Sequence, residues 1–359
     1  MRVLLACSLG GSGHLTPVAN AARAVRRLGH EIIVLVPPSL VAEIEREDLP
    51  YEVGGEPPRS VIDDTWARVR TGPAEAVAGL IDRELFADHC TQAMLASARE
   101  LRDRWRPDVV MREPCEYASA IAAGEARIAQ AQIGISQGSI EWAVLEMVSP
   151  IIERSCSGVT RTVACAPYLT AFPASLDPSS WPDTRRFRLS EPAAAGGSLP
   201  DWWPGNDRPL AYMSFGSVIG HLPEATGVFR SAVEAVAGLP VRVLLTVGRA
   251  TDVAFGEIPE NTHIESWVAQ HDVLPHAGVV VCHGGSGTTF GALAAGVPLV
   301  ICPLFADQAA NGRVVEIAHA ERVVAGRALA PGSLRGLGPA DVAPLRAAIE
   351  HVLGEPVYR

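Results

Sequence analysis

Two stretches of this chain obey one grammar, and that grammar allows few folds. Residues 2–9 (RVLLACSL) form a short apolar run that ends in Gly10-Gly11-Ser12-Gly13. From His14 to Leu28 the apolar residues Leu15, Val18, Ala22 and Val25 fall at helical spacing, Gly29 stops the helix, and residues 32–37 (IIVLVP) are the next apolar run. Strand, glycine loop, helix, strand is a βαβ unit. Continuous rather than alternating apolar runs mark strands covered on both faces, as in a parallel sheet. Further strands are predicted at 108–111, after a helical stretch over 87–105, and at 132–136.

The grammar returns after residue 209. A strand at 210–215 (LAYMSF) leads into Gly216-Ser217, a helix over 224–237 and a strand at 241–247 (VRVLLTV). A strand at 279–282, a glycine loop at 284–287, a helix to about 295 and a strand at 298–302 (PLVIC) follow, with a last helix over 340–353. Between the two series, residues 173–209 hold seven prolines, Gly196-Gly197 and Trp202-Trp203, which is linker composition. The expectation is two Rossmann-like, doubly wound α/β domains with parallel sheets, residues 1–198 and 209–359, joined by a linker at 199–208. At 359 residues the chain is long enough for both cores. Ligands of such folds bind beyond the carboxyl ends of the strands, so the two domains are expected to face one another across a binding cleft.

Composition excludes several chemistries. The chain carries 30 basic against 40 acidic residues, a net charge of −10, with no basic run, which disfavours nucleic acid and anionic membranes as partners. All 30 basic residues are Arg. Without Lys there is no Schiff-base lysine and no Walker P-loop lysine. The seven cysteines are scattered without a CxxC, so a zinc framework or disulfide scaffold is not expected and a reducing cytoplasm is. No uninterrupted apolar stretch is long enough to span a bilayer.

The strongest chemical signal is residues 279–289, VVVCHGGSGTT. A buried strand ends at His283 and a helix starts near Thr288. Glycines let backbone N–H groups approach a ligand, and a helix N-terminus adds its dipole, which together suit a phosphate. The alternative is a structural turn capped by Ser286 or Thr288. His14 follows GGSG at the start of the first helix. A helix N-terminus disfavours imidazolium, so His14 is expected to be neutral and able to accept a proton from a hydroxyl. The bland reading is a residue that caps the turn.

Trp267…Gln270, then HGGSGT (283–288), then Asp307-Gln308 resemble the donor-binding signature of GT-B glycosyltransferases of the UDP-glucuronosyltransferase-like family. Within it the chain is most similar to actinomycete enzymes that glycosylate antibiotics and other natural products, from Gly10 to about Val352. The resemblance implies a GT-B fold. It implies that Trp267 stacks on the nucleobase while the Val268 backbone reads its edge. His283 and the amides of Gly285, Ser286, Gly287 and Thr288 would hold the diphosphate, with Ser217 touching the phosphates, and Asp307 and Gln308 would bond sugar hydroxyls. The His of GxGH is the family's general base, here His14, and an acidic residue about a hundred positions on holds its second nitrogen. That stretch here is PDVVMREPCEY (107–117), with Glu113 where the family usually has Asp, Glu116 as a rival, and a charge paired with Arg112 as the bland alternative. Gly11, Trp66, Phe86, Trp142 and Met147 are candidates for an acceptor pocket, although such residues are commonly core.

The implied activity is inverting, metal-independent transfer of a sugar from a dTDP-sugar or UDP-sugar to a hydroxyl of a hydrophobic natural product. The sugar nucleotide is a co-substrate, and no cofactor or metal is expected. Many relatives have Glu eight residues after the motif His, where it holds both ribose hydroxyls. Gly291 stands there, which favours a dTDP-sugar, lacking the 2′-hydroxyl. Alternatives are a GT-B epimerase acting on the sugar nucleotide and a non-catalytic glycosyltransferase partner. A nicotinamide enzyme fails on spacing, since GGSGH is not GxGxxG and Pro37-Pro38 stand where an acidic residue should end the second strand. Relatives usually add a C-terminal helix beyond the point where this chain stops, so the chain is expected to be short or truncated there. The 150–170 stretch also looks shorter than in many relatives, implying a more open acceptor pocket. The sequence leaves a homodimer open.

Overall fold

The structure, a computed structural model, describes residues 1–188, 199–204, 206–248, 253, 255–317, 321–323 and 334–355. The chain divides into two compact units, one of residues 1–189 with 331–333, the other of residues 190–330 with 334–359. Pro192 and Gly196-Gly197 of the expected linker lie outside the described residues.

The first unit is a seven-stranded sheet in which every pairing is parallel. Its strands are β1 (Arg2–Ala6), β2 (Glu31–Val36), β3 (Tyr51–Val53), β4 (Val109–Arg112), β5 (Ala129–Ile133), β6 (Tyr168–Thr170) and β7 (Thr184–Arg186), in the order β3-β2-β1-β4-β5-β6-β7. Alternation across the sheet builds two cores. Leu4, Ala6 and Val110 enter the core on one face, while Val3, Leu5 and Met111 enter the core on the other. Both faces are covered, which is why these strands read as unbroken apolar runs. The helix Ser12–Arg27 packs Leu15, Val18, Ala19 and Ala22 into the second of these cores. Strand order reverses between β1 and β4, where Ala6 pairs with Arg112. The loops leaving these two strands therefore emerge side by side.

The second unit repeats the plan with six parallel strands. They are β8 (Leu210–Ser214), β9 (Arg242–Thr246), β10 (Thr262–Glu265), β11 (Ala277–Cys282), β12 (Leu299–Ile301) and β13 (Glu321–Val323), in the order β10-β9-β8-β11-β12-β13. Here the reversal falls between β8 and β11, with Ser214 opposite Cys282, and Cys282 in turn opposite Ile301. Leu199, Trp202 and Trp203 pack against the core of this unit. Among the described residues no helix is long and apolar enough to cross a membrane.

Some elements depart from expectation for local reasons. The strand expected at 132–136 ends at Ile133, because the carboxylate of Glu141 captures the amides of Ile135 and Ser136 at 2.8 and 2.6 Å and turns the chain into the helix Gly138–Ile152. The helical stretch expected over 87–105 is a π-helix, Ile81–Cys90, that runs into an α-helix, Thr91–Trp105. The helix expected from Thr288 begins at Ser286.

Candidate active site

In the first unit the two loops at the β1/β4 reversal bring His14 and Glu113 together. His14 Nδ1 lies 3.3 Å from Glu113 Oε1. The carboxylate is fully buried and accepts the Ser8 amide on Oε1 at 2.9 Å and the Cys115 amide on Oε2 at 2.7 Å. Burial alone would raise its pKa. The His14 ring and the two amides together outweigh that, so Glu113 is held below the usual carboxylate range and stays charged. Its rival Glu116 caps the helix Ala118–Ala126 instead, accepting the Ser119 amide at 3.1 Å and the Ser119 hydroxyl. Arg112 is buried, but its guanidinium donates to the carbonyls of Glu113, Pro114 and Glu116 and to Gln132 Oε1, and so holds the loop rather than neutralising the Glu113 carboxylate.

The glycine cluster has a steric reason. A methyl at Gly10 (φ 143°) would collide with the His14 ring, so the imidazole folds back over a bare backbone. Gly11, the N-cap of the helix, sits at φ 70°, again in the left-handed half of conformational space. On the other side Phe86, carried by the π-helix, stacks on His14 with ring centroids 5.4 Å apart. The His14 side chain is 17% exposed, enough for one nitrogen to meet a ligand.

The remaining acceptor candidates are half-buried against the first unit's own core. Trp66 and Trp142 pack on the same cluster as Phe86, and Trp142 meets Trp181 edge-on at 5.0 Å. Met147 Sδ accepts from Arg83 Nη1 at 3.4 Å.

In the second unit the β8/β11 reversal does the same work. Gly216 (φ 81°) ends β8, and a methyl there would come within 2.7 Å of His283 Nε2. A methyl at Gly285 would also strike that nitrogen, so the ring lies between two bare backbone segments. Burial lowers the pKa of His283 to about 4, so the imidazole is neutral. Ser217 follows Gly216 in the same turn. Gly285 is the N-cap of the helix Ser286–Ala294, whose first-turn amides have no partner within the helix. Gly287 is exposed, and a methyl there would meet nothing within 4 Å, so this turn is open to an incoming group.

A side-chain lattice locks this turn. Asn311 Nδ2 donates to the Gly284 carbonyl at 3.0 Å, to Ser286 Oγ at 3.1 Å and to Asp307 Oδ2 at 3.1 Å. Ser286 Oγ donates to Asp307 Oδ2 at 3.2 Å, and Gln270 Nε2 to Thr288 Oγ1 at 2.8 Å. Gln308 is 3% exposed, and its carbonyl oxygen accepts the amides of Leu304 and Phe305. Ala306, just before Asp307, holds φ at 54°, a costly conformation for a residue with a Cβ. Trp267 is 67% exposed, although a large apolar ring ordinarily buries itself, and Val268 beside it packs on the core. Asn311 went unnoticed in the sequence, whereas Gln270 and Gly10 were seen only as parts of their motifs. The i, i+4 spacing of Asp307 and Asn311 on one helical face is the signal that could have found the first.

Two doubly wound parallel-sheet units, each with a glycine loop at its strand-order reversal, define the fold class as GT-B. Residues 204–359 match the UDP-glucoronosyl and UDP-glucosyl transferase family. The chain is 28% identical over 370 residues to L-demethylnoviosyl transferase of Streptomyces niveus, covering 100% of this chain and 91% of that protein. It is 28% identical over 329 residues to an elloramycin glycosyltransferase of Streptomyces olivaceus, covering 88% of this chain and 84% of that one. In fold it is similar to spinosyn rhamnosyltransferase SpnG complexed with thymidine diphosphate, with a TM-score of 0.77 at 20% identity, covering 100% and 93% of the two chains. Over residues 204–359 the chain is thus similar to the UDP-glucoronosyl and UDP-glucosyl transferases, and over most of its length to glycosyltransferases of actinomycete antibiotic pathways.

Proposed function

We propose that this glycosyltransferase acts in natural-product biosynthesis, moving a sugar from a dTDP-sugar, or less readily a UDP-sugar, to a hydroxyl of a hydrophobic acceptor, with inversion and without a metal. The observation that carries the reading is the His14–Glu113 pair. A charged, buried Glu113 accepts a hydrogen bond from Nδ1–H, which leaves the Nε2 lone pair for an acceptor hydroxyl and stabilises the imidazolium as it forms. Phe86 against the ring favours an apolar acceptor, with Gly11, Trp66, Trp142 and Met147 as further contacts.

In the second unit Trp267 would stack on the base while the Val268 backbone reads its edge. The amides of Gly285, Ser286, Gly287 and Thr288, with neutral His283 as an Nε2–H donor and Ser217 beside it, would take the charge that grows on the leaving diphosphate. Asp307 and the amide of Gln308 would bond the sugar. Gly291 leaves the ribose 2′ position without a carboxylate, and its neighbour is Leu274, which supports a deoxyribose donor. The thymidine diphosphate bound to the spinosyn enzyme agrees in chemistry.

The test is transfer from matched dTDP- and UDP-sugars to a panel of hydroxylated polyketides and phenols, with the anomeric configuration of the product read by NMR. Inverted product and a His14→Ala rate lower by about 10²–10⁴-fold are expected. Retained configuration, or an active His14→Ala enzyme, would sink the proposal.

A further inference from the structure

Three donor atoms of different chemistry meet at the end of β4. One ligand atom each from His14, Glu113 and Cys115 lies within 4.8 Å of the other two. We propose that these three side chains form a site for a thiophilic divalent cation of the zinc class, and that filling it turns the enzyme off by fixing the wrong tautomer of His14.

Geometry supports the site. Zinc binds imidazole nitrogen and carboxylate oxygen at nearly the same short distance, and a tetrahedral centre then separates the two donors by about 3.3 Å. His14 Nδ1 and Glu113 Oε1 are 3.3 Å apart. Each Glu113 oxygen accepts one backbone amide, from Ser8 or from Cys115, and so keeps a second lone pair. Both amides belong to the loops leaving β1 and β4, so the carboxylate is oriented before any cation arrives. Cys115 and His14 are both partly exposed, which gives a way in and a direction for a water as fourth ligand.

Charge supports it too. One carboxylate, one thiolate and a neutral imidazole sum to −2, so a doubly charged cation makes this mostly buried cluster neutral. The thiolate is the form that ligates, so the thiol proton goes to solvent as the cation binds. The Nδ1 proton moves to Nε2, because Nδ1 now spends its lone pair on the metal. One proton is released per cation, and nothing is oxidised or reduced. The donor set of nitrogen, oxygen and sulfur selects zinc over magnesium, which keeps to oxygen ligands.

An imidazole ligated through Nδ1 carries hydrogen on Nε2 and has no lone pair for an acceptor hydroxyl. The loss of activity therefore rests on His14 being the base, whereas binding of the cation does not. Two readouts keep these apart. Cobalt(II) titrated into the reduced, chelator-treated protein should give a thiolate-to-cobalt charge-transfer band in the wild type. The band should vanish in Cys115→Ala, which keeps the backbone amide that holds Glu113, and persist in Cys165→Ser, which removes an exposed thiol. Cys115→Val serves the same purpose if the alanine variant packs poorly. In the transfer assay zinc chloride should inhibit the wild type where magnesium chloride does not, and Cys115→Ala should need at least about 10-fold more zinc for the same inhibition. A band that survives in Cys115→Ala, or no band at all, overturns the site. A band that depends on Cys115 while zinc leaves transfer untouched overturns the switch and counts against His14 as the base.

Discussion

The His14 ring is held by what surrounds it more than by its own backbone. Gly10 leaves room for it, Phe86 covers one face, and Glu113 fixes Nδ1. Gly10→Ala should therefore act on the ring. The added methyl strikes the imidazole, and the backbone sits at φ 143°. Turnover should fall by at least about 10-fold, as expected when a reacting group moves by about 1 Å, while the dissociation constant for dTDP stays unchanged. Calorimetric titration with dTDP alongside steady-state kinetics checks both halves. Glu113→Gln and Glu116→Gln separate the two carboxylates. Only Glu113 faces His14, so its amide variant should lose about 10²-fold or more in turnover, whereas Glu116→Gln should chiefly loosen the helix it caps and lower the melting temperature. Equal losses of turnover in both would mean that the 3.3 Å pair is not the working dyad. The pH sense follows from the lowered pKa of Glu113: its contribution to stability is present above the unfolded carboxylate range and is lost as acid brings the pH down through the folded value.

At the scale of elements, what was legible in the sequence was what repeats. The strands β1, β2, β4, β8, β9, β11 and β12 are runs of mostly buried apolar residues, and each falls within a residue or two of its expected span except β1, which ends three residues early at Ala6. The short strands β3, β6, β7, β10 and β13, at or next to a sheet edge, escaped because three or four residues carry too little pattern to stand out from loop. The end of β5 was misplaced because a side chain decides it. Glu141, far enough along to look like ordinary helix surface, is buried and reaches back to two amides of the turn. Burial pushes its pKa up to about 8 against the pull of those bonds. The protonated form is then favoured in the folded state, and folding takes up a proton between the ordinary carboxylate range and pH 8. Stability due to this group should fall as pH rises across that interval and level off above it. Glu141→Gln keeps an accepting oxygen for Ile135 and Ser136 and cannot ionise. Denaturant unfolding at pH 6 and pH 9 should show the wild type losing more stability than the variant between the two. Equal losses would place the titration elsewhere. The donor loop teaches the same lesson. Its glycines marked it in the sequence as a tight turn between strand and helix, but the lattice of Asn311, Asp307 and Ser286 that stiffens it depends on contacts across 25 residues. Asn311→Ala deprives a buried carbonyl of its donor, at a cost of about 1–3 kcal/mol, and should raise the KM for the donor more than it lowers turnover.

At the scale of the molecule, chemistry is divided between units that each have their own sheet and core. His14 and Glu113 belong to residues 1–189, and the glycine turn, His283 and Trp267 belong to residues 190–330. A nucleotide should therefore report on the second set of residues whether or not the first is intact. With dTDP at about 100 times its dissociation constant the folded state should gain roughly 2.7 kcal/mol. UDP should give less at equal concentration, since Gly291 offers no carboxylate to a ribose 2′-hydroxyl, and NAD should give nothing. Hydrogen exchange should slow at the amides of 285–288, which have no helical partner until a phosphate arrives. His14→Ala should leave this stabilisation whole. Trp267→Ala should reduce it, because the exposed indole loses its stacking partner's worth of about 1–3 kcal/mol. Should His14→Ala abolish the dTDP shift, or should dTDP slow exchange outside the glycine turn while leaving 285–288 untouched, the diphosphate would have to be seated elsewhere and the assignment of the turn would fall.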